Sequence, residues 1–295
     1  MSSIPEIRHR IKVISDTMKI TRAMYLISSS KMKKAMSMHE KNLFYHKRVM
    51  SDMRFILENT EGEIHNKFFY QRKEMPEERN IAYLVIAGDK GMCGGYNDNV
   101  LKMAASDIDG RAHASLSLFT IGMMANVFFL HRGVEPDVDY LNIAQNPELG
   151  SARKITQELC SLYTDKALDE IFVVYTHMEN SAKLIPTVFR LLPILPEDFK
   201  TAELLHEDTH SLTYLPSRRE VLDNLTPSYL IGRIYSALVQ SYASEQCARM
   251  TSMDASTRNA GEMLDDLQLE LNRARQAGIT QEITEIISGS GIFLK

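Results

Sequence analysis

Between Glu6 and Glu61 the sequence holds neither glycine nor proline. Through that stretch Ile4, Ile7, Ile11, Ile14, Met18, Thr21, Tyr25, Ser28, Met32 and Ala35 step by three and four without a break. The seam resumes at Leu43 and passes through Met50, Met53 and Leu57. Steps of three and four keep one stripe of a helix facing a partner, the pattern of a coiled coil. At ~1.5 Å per residue such a helix runs roughly 80 Å. No ordinary domain core is deep enough to bury it, so it must project.

The chain closes on a second such segment. No proline follows Pro227, and Met253, Thr257, Ala260, Leu264, Leu267, Leu271, Ala274 and Gly278 alternate four and three. Gly261 and Gly278 each cost a lone helix ~1 kcal/mol, so something must pack closely against them. Small residues in both seams predict a slim, close pair. The end, from Ile283 through Ile286 and Ile287 to Ser288 and Gly289, is apolar with few charges, and an exposed tip of that kind suits an apolar socket.

The middle has a different pattern. Ile81–Ala87 is a buried-type strand followed by a glycine-rich turn, then a helix over Asn97–Ser106, a strand over Ser115–Ile121 and a helix over Met123–Arg132. A longer helix over Pro147–Lys166, a strand over Glu170–His177 and a strand-like run over Lys183–Leu192 complete it. Alternating strand and helix predict an α/β layer on a largely parallel sheet. The expected parts are therefore an N-terminal coiled-coil helix (1–60), a central α/β domain (80–200) and a C-terminal coiled-coil helix (217–295).

Charge is uneven. Residues 1–60 carry twelve Lys/Arg against five Asp/Glu, a net of +7 in a chain of net −4. An acidic partner for that segment is the sharper reading, a solvated helix face the plainer one. Nucleic acid is a poor fit, because Lys31-Met32-Lys33-Lys34 lies in a heptad seam without interleaved aromatics. No window reaches the length of uninterrupted apolar residues that a membrane span needs. Arg8, Arg10 and Lys12 stand where a secretory signal has its apolar core, and Glu6 and Asp16 argue against a mitochondrial presequence. Cys93, Cys160 and Cys247 are widely spaced, as in a reducing compartment.

Two motifs suggest chemistry. His206-Glu207-Asp208-Thr209-His210 satisfies H-E-x-x-H, whose histidines would share a helix face on zinc, with Glu220 as a third candidate. Against a zinc enzyme on His206 and His210 stand the extra charge of Asp208, the weak helix former Thr209, nearby Pro196 and the extended look of Ser211–Leu215. Gly88-Asp89-Lys90-Gly91-Met92-Cys93-Gly94-Gly95 lies between strand and helix, a place suited to phosphate. Its spacing is that of neither phosphate-binding glycine motif, and a tight turn with positive φ accounts for the glycines equally well.

Three stretches together resemble the gamma subunit of F-type ATP synthases. The run IRHRIKVISDTMKITRAMYLISSSKMKKA is similar to that family's opening helix, notably Thr17-Met18-Lys19-Ile20-Thr21-Arg22-Ala23-Met24 followed by Ser30-Lys31. GDKGMCGGYN resembles its glycine-rich turn, and the C-terminal run ASEQCARMTSMDASTRNAGEMLDDLQLELNRARQAGITQEITEIISGS matches it most fully. The resemblance implies a long antiparallel coiled coil of N- and C-terminal helices inside a ring of alternating alpha and beta subunits. It also implies a Rossmann-like central α/β domain that binds no nucleotide, beside the membrane c-ring, with an epsilon subunit as a further partner.

On that resemblance the protein is a non-catalytic rotor without cofactor or metal. It touches the membrane only through its complex, on the cytoplasmic face of a bacterial membrane or the matrix face of the mitochondrial inner membrane. Met24, with Arg22, Lys31, Lys33 and Lys34, falls near an acidic helix-loop of a beta subunit. Arg249, Arg275, Gln276 and Thr280 match ring-contact positions, and Tyr214 falls in the foot facing the c-ring. The sequence departs from the pattern at Ser28-Ser29-Ser30, at Lys90 where arginine is usual, and in a foot, Tyr214-Leu215-Pro216-Ser217-Arg218-Arg219, that lacks the acidic residue after the tyrosine. No cysteine pair follows Leu195, so the redox switch of the plant-type subunit is expected to be absent. A free-standing coiled-coil regulator is the other alternative.

Overall fold

The computed structural model describes residues 3–59, 66–69, 79–200, 214–215 and 217–292, with side chains as far as 287. The His206–His210 motif lies outside the described residues. The chain forms two compact units, one of residues 1–28 with 249–295, the other of 29–248. Two helices run through both: α1 (Ile4–Glu58) and α5 (Arg218–Ile292). Helix α5 starts ahead of Pro227, which lacks the N–H for one backbone bond of the helix ladder.

In the larger unit five strands form one sheet: β1 (Asn80–Ile86), β2 (Ser115–Ile121), β3 (Val138–Tyr140), β4 (Glu170–Asn180) and β5 (Lys183–Leu192), in the order β3-β2-β1-β4-β5. The first four are parallel, and β5 returns antiparallel beside β4. Between them lie α2 (Tyr96–Gly110), α3 (Met123–His131) and α4 (Leu149–Thr164). The expected central strands and helices are all present, most within two residues of their predicted ends. Strand β3 and the 3-10 turn Pro196–Phe199 were not foreseen. A three-residue edge strand is too short for alternation to mark it.

Strand β1 reads NIAYLVI because both of its faces are covered. Ile81, Tyr83 and Val85 join Val100, Leu101, Ala104 and Ile108 of α2 and Ala125 and Phe129 of α3 in one core. Ala82, Leu84 and Ile86 join Ala152, Ile155 and Leu159 of α4 in the other, together with Val49, Met53 and Ile56 of α1 and Leu230, Ile234 and Leu238 of α5. Each large side chain buried this way stabilises the fold by about 1.5–3 kcal/mol. Within this unit α1 and α5 run antiparallel, since Asn42 Nδ2 reaches the Gly232 carbonyl at 3.4 Å while Arg218 donates to the Asn59 carbonyl.

Two histidines of α1 enter this packing, His46 buried and His39 half-buried. His46 sits 5.4 Å from the Tyr229 ring, and Gly232 leaves room for its edge. Neither His39 Nδ1 nor His46 Nε2 has a hydrogen-bond partner among the described residues. Burial, with the Arg233 charge adding to it, pushes His46 down to about 4; burial and His177 lower His39, with Glu40 opposing. The unfolded chain therefore takes up protons that the native state refuses. Stability is full above the ordinary histidine range near 6.5, and it falls as pH drops from there toward 4. His46 alone should remove about 2 kcal/mol between pH 7.5 and pH 5. Urea unfolding at the two pH values should show that loss in the wild type and about 2 kcal/mol less of it in His46→Phe; equal losses would contradict the assignment.

Candidate functional site

The smaller unit is built from the two seams predicted by the steps of three and four. On α1, Ile7, Thr21 and Ser28 are buried while Ile4, Ile11, Ile14, Met18 and Tyr25 are half-buried. On α5, Met253 and Ala260 are buried, and Thr257, Leu264, Leu267, Leu271, Ala274 and Gly278 are half-buried. At one level the seam is polar: the Thr21 and Thr257 hydroxyl oxygens are 2.8 Å apart, and each also lies within bonding range of a carbonyl of its own helix. A threonine pair is small and lets the backbones approach; one hydroxyl donates to the other, which in turn donates to a carbonyl of its own helix. From Ile279 to Ile287 every residue of α5 is exposed, including Ile283 and Ile286.

In this unit Arg22 is exposed beside the seam and Met24 is half-buried. Arg249 is buried at 8% exposure, and therefore presents little of itself outward. Arg275, Gln276 and Thr280 are exposed, with the Thr280 hydroxyl donating to the Gln276 carbonyl at 2.9 Å. The sequence reading missed a further feature. Val13, Ile20 and Ile27, seven residues apart, are half or more exposed on α1, a second apolar stripe outside the seam. Their spacing of seven was the available signal.

In the larger unit Lys31, Lys33 and Lys34 are exposed and make no ion pair among the described residues. Tyr214 is half-buried, its ring 6.0 Å from that of Phe55. Burial raises its phenol, the Asp52 charge adds to this, and Arg218 opposes.

The glycine-rich turn is satisfied from within the chain. Met92 and Gly94 have φ of 60° and 56°. The Gly88 N–H donates to Asn97 Oδ1 at 2.9 Å, and the Asn97 amide reaches the Lys90 carbonyl at 3.3 Å. The N-terminus of α3 already holds an anion of its own: the Met123 N–H donates to the Asp89 carboxylate at 3.1 Å. Among the described residues no cluster of three or more His, Cys, Asp or Glu could hold a metal, and no helix is long and apolar enough to cross a membrane.

One unit pairs helices from both ends of the chain along a small-residue seam, and the other is an α/β domain with a five-stranded, mostly parallel sheet. The profile of one family, described as ATP synthase, matches residues 3–291. The ATP synthase gamma chain of Ruminiclostridium cellulolyticum is 41% identical over 293 residues, covering 98% of both chains. That of Caldanaerobacter subterraneus is 39% identical over 97% of this chain and 99% of its own. The sodium ion specific gamma chain of Acetobacterium woodii is 34% identical over 98% of both. The chain belongs to the ATP synthase gamma-chain family. Its fold is shared with a chain of the Euglena gracilis mitochondrial ATP synthase, in a structure of OSCP, F1 and c-ring, with a TM-score of 0.66, 15% identity and coverage of 98% of this chain and 94% of that one.

Proposed function

We propose that the chain is the central rotor of an ion-translocating ATP synthase, turning between a membrane c-ring and a ring of alpha and beta subunits and carrying out no catalysis itself. The observation that supports this best is the pair of terminal helices, continued by α5 alone past Gly278 with its isoleucines outward. Such a rod carries a surface that differs on every side, so each site around it would meet a different face. The outward stripe of Val13, Ile20 and Ile27 suits a helix that works inside an enclosure. An epsilon subunit is a further partner in this reading, and the cytoplasmic face of a bacterial membrane is the location, as the bacterial relatives suggest. Arg22, Met24, Lys31, Lys33 and Lys34 would face the beta subunits, Arg275, Gln276 and Thr280 the upper ring, and Tyr214 the c-ring side. Arg249 would act from within the chain. Purification of the tagged chain under gentle extraction tests the reading: alpha, beta and c polypeptides should accompany it with ATPase activity, and recovery as a small free oligomer would overturn it.

The tip is expected to act as a guided bearing. It is apolar and almost uncharged, so it can slide in an apolar collar without strong directional bonds. Deleting residues 287–295 should leave assembly intact and part of the ATP hydrolysis rate in place. Complete loss of hydrolysis in a normally assembled complex would show that the tip drives the motor.

A further inference from the structure

In open α/β sheets, ligands bind outside the carboxyl ends of the strands, where the strand order reverses. Here that point lies between β1, which leads outward to β2, and β4, which lies on the other side of β1. Gly88 follows β1 at this point, and Thr176 is the matching part of β4. Helix α5 lies across the opening. The Thr176 N–H donates to Ser241 Oγ at 3.2 Å, and Ser244 Oγ donates to the Thr176 carbonyl at 3.1 Å. One turn on from Ser241, the Glu245 side chain enters the glycine-rich turn. A β-carbon on Gly88 would lie 3.1 Å from the Glu245 carboxyl carbon and 3.3 Å from one of its oxygens. Glu245 and Tyr96, the first residue of α2, are each only 5% exposed.

A carboxyl group buried at the start of a helix, against a turn with alternating positive φ, stands where such turns hold phosphate oxygens. A glycine at 88 is what allows it to come so close. We propose that Glu245 is an internal anion that occupies the fold's phosphate position and thereby fastens α5 to the sheet. The crevice is not vacant but closed by the chain's own helix, and a phosphate could enter only if that carboxylate left. Burial first, and then the neighbouring Glu245, raise the Tyr96 phenol, which sets the Glu245 side chain beside the first residue of α2. The assignment concerns the chain by itself and stands apart from the rotor reading.

The test is the thermal midpoint of the full chain in inorganic phosphate and in sodium chloride of equal ionic strength. The wild type should melt alike in both. Glu245→Ala should melt roughly 5 °C lower in chloride, and phosphate should return at least half of that. Glu245→Gln, whose carboxamide still fills the space, should melt lower in both salts without recovery. A merely structural side chain would not produce this difference between salts. The proposal is overturned if Glu245→Gln melts like the wild type, if phosphate leaves Glu245→Ala unchanged, or if phosphate raises the wild type as much. Should Glu245→Ala not fold, amide exchange in Glu245→Gln decides. Residues 91–96 should exchange roughly tenfold faster while β2 is unaltered, and unchanged exchange in the turn overturns the proposal.

Discussion

Gly122→Ala should cost the larger unit about 3–5 kcal/mol, enough to leave much of the protein unfolded. Gly122 has a φ of 94°, where an L side chain is strained, and an added β-carbon would meet the Ala87 carbonyl oxygen at 2.3 Å and its carbon at 2.8 Å. That carbonyl cannot retreat, because the N–H of Ala87 is bonded to Ile121 at 2.9 Å and the next carbonyl, of Gly88, receives the Met124 N–H at 3.1 Å. The close contact joins the ends of β1 and β2, so moving it would displace the glycine-rich turn and the start of α3 together. Gly91→Ala is the matched control, since nothing lies within 4 Å of its β-carbon, and it should alter stability by no more than about 0.5 kcal/mol. Urea unfolding of the three proteins checks both numbers. A Gly122→Ala protein within about 1 kcal/mol of the wild type would mean that the contact yields easily.

Reversing Arg22, Lys31, Lys33 and Lys34 together to glutamate should impair ATP-driven rotation far more than any single change to alanine. Their side chains are exposed and lack intramolecular ion pairs among the described residues, so the charge is available to a partner. Exposed pairs contribute roughly 0.2–1 kcal/mol each and are screened beyond about 8–10 Å at physiological salt. Moving a catalytic site from mostly open to mostly closed needs about 5.5 kcal/mol of differential interaction. No one contact supplies that, so it must be distributed. Single alanines should change steady-state ATPase and torque only slightly. The quadruple reversal should replace attraction by repulsion at every passing subunit, with a loss that shrinks at high ionic strength. If Lys33→Ala alone stops rotation, or the quadruple variant turns normally, the distributed contact is wrong and shape alone carries the torque.

How much of this was legible beforehand depended on whether the cause was local. The seam from Ile4 to Ala35 and that from Met253 to Gly278 could be read directly, because a helix paired along its length repeats its burial in the sequence. Strand β1 was equally plain, since a strand covered on both faces must be apolar throughout. Glu245 could not be read. In YASEQCARM it looks like any exposed helical glutamate, and only the distant Gly88 and Asn97 make it a buried group. The burial of Arg249, offered by resemblance as a contact, was hidden from the sequence for the same reason. Lys31, Lys33 and Lys34 were singled out by charge and by resemblance, and charge reports exposure well and partners poorly.

The threonine pair joins residues 236 positions apart. Thr21 is made 236 residues before Thr257. At about 5–20 residues per second, α1 leaves the ribosome roughly 10–50 s before its partner exists. Through that interval its seam of Ile7, Ile11, Ile14 and Met18 has nothing to pack against. The small residues that make the finished pair slim also keep this waiting surface less sticky than a leucine zipper would be. The smaller unit therefore cannot form until the Met253–Gly278 seam has been made, and a chain cut short before Met253 leaves an orphaned N-terminal helix for the cell's holding and degrading machinery to recognise.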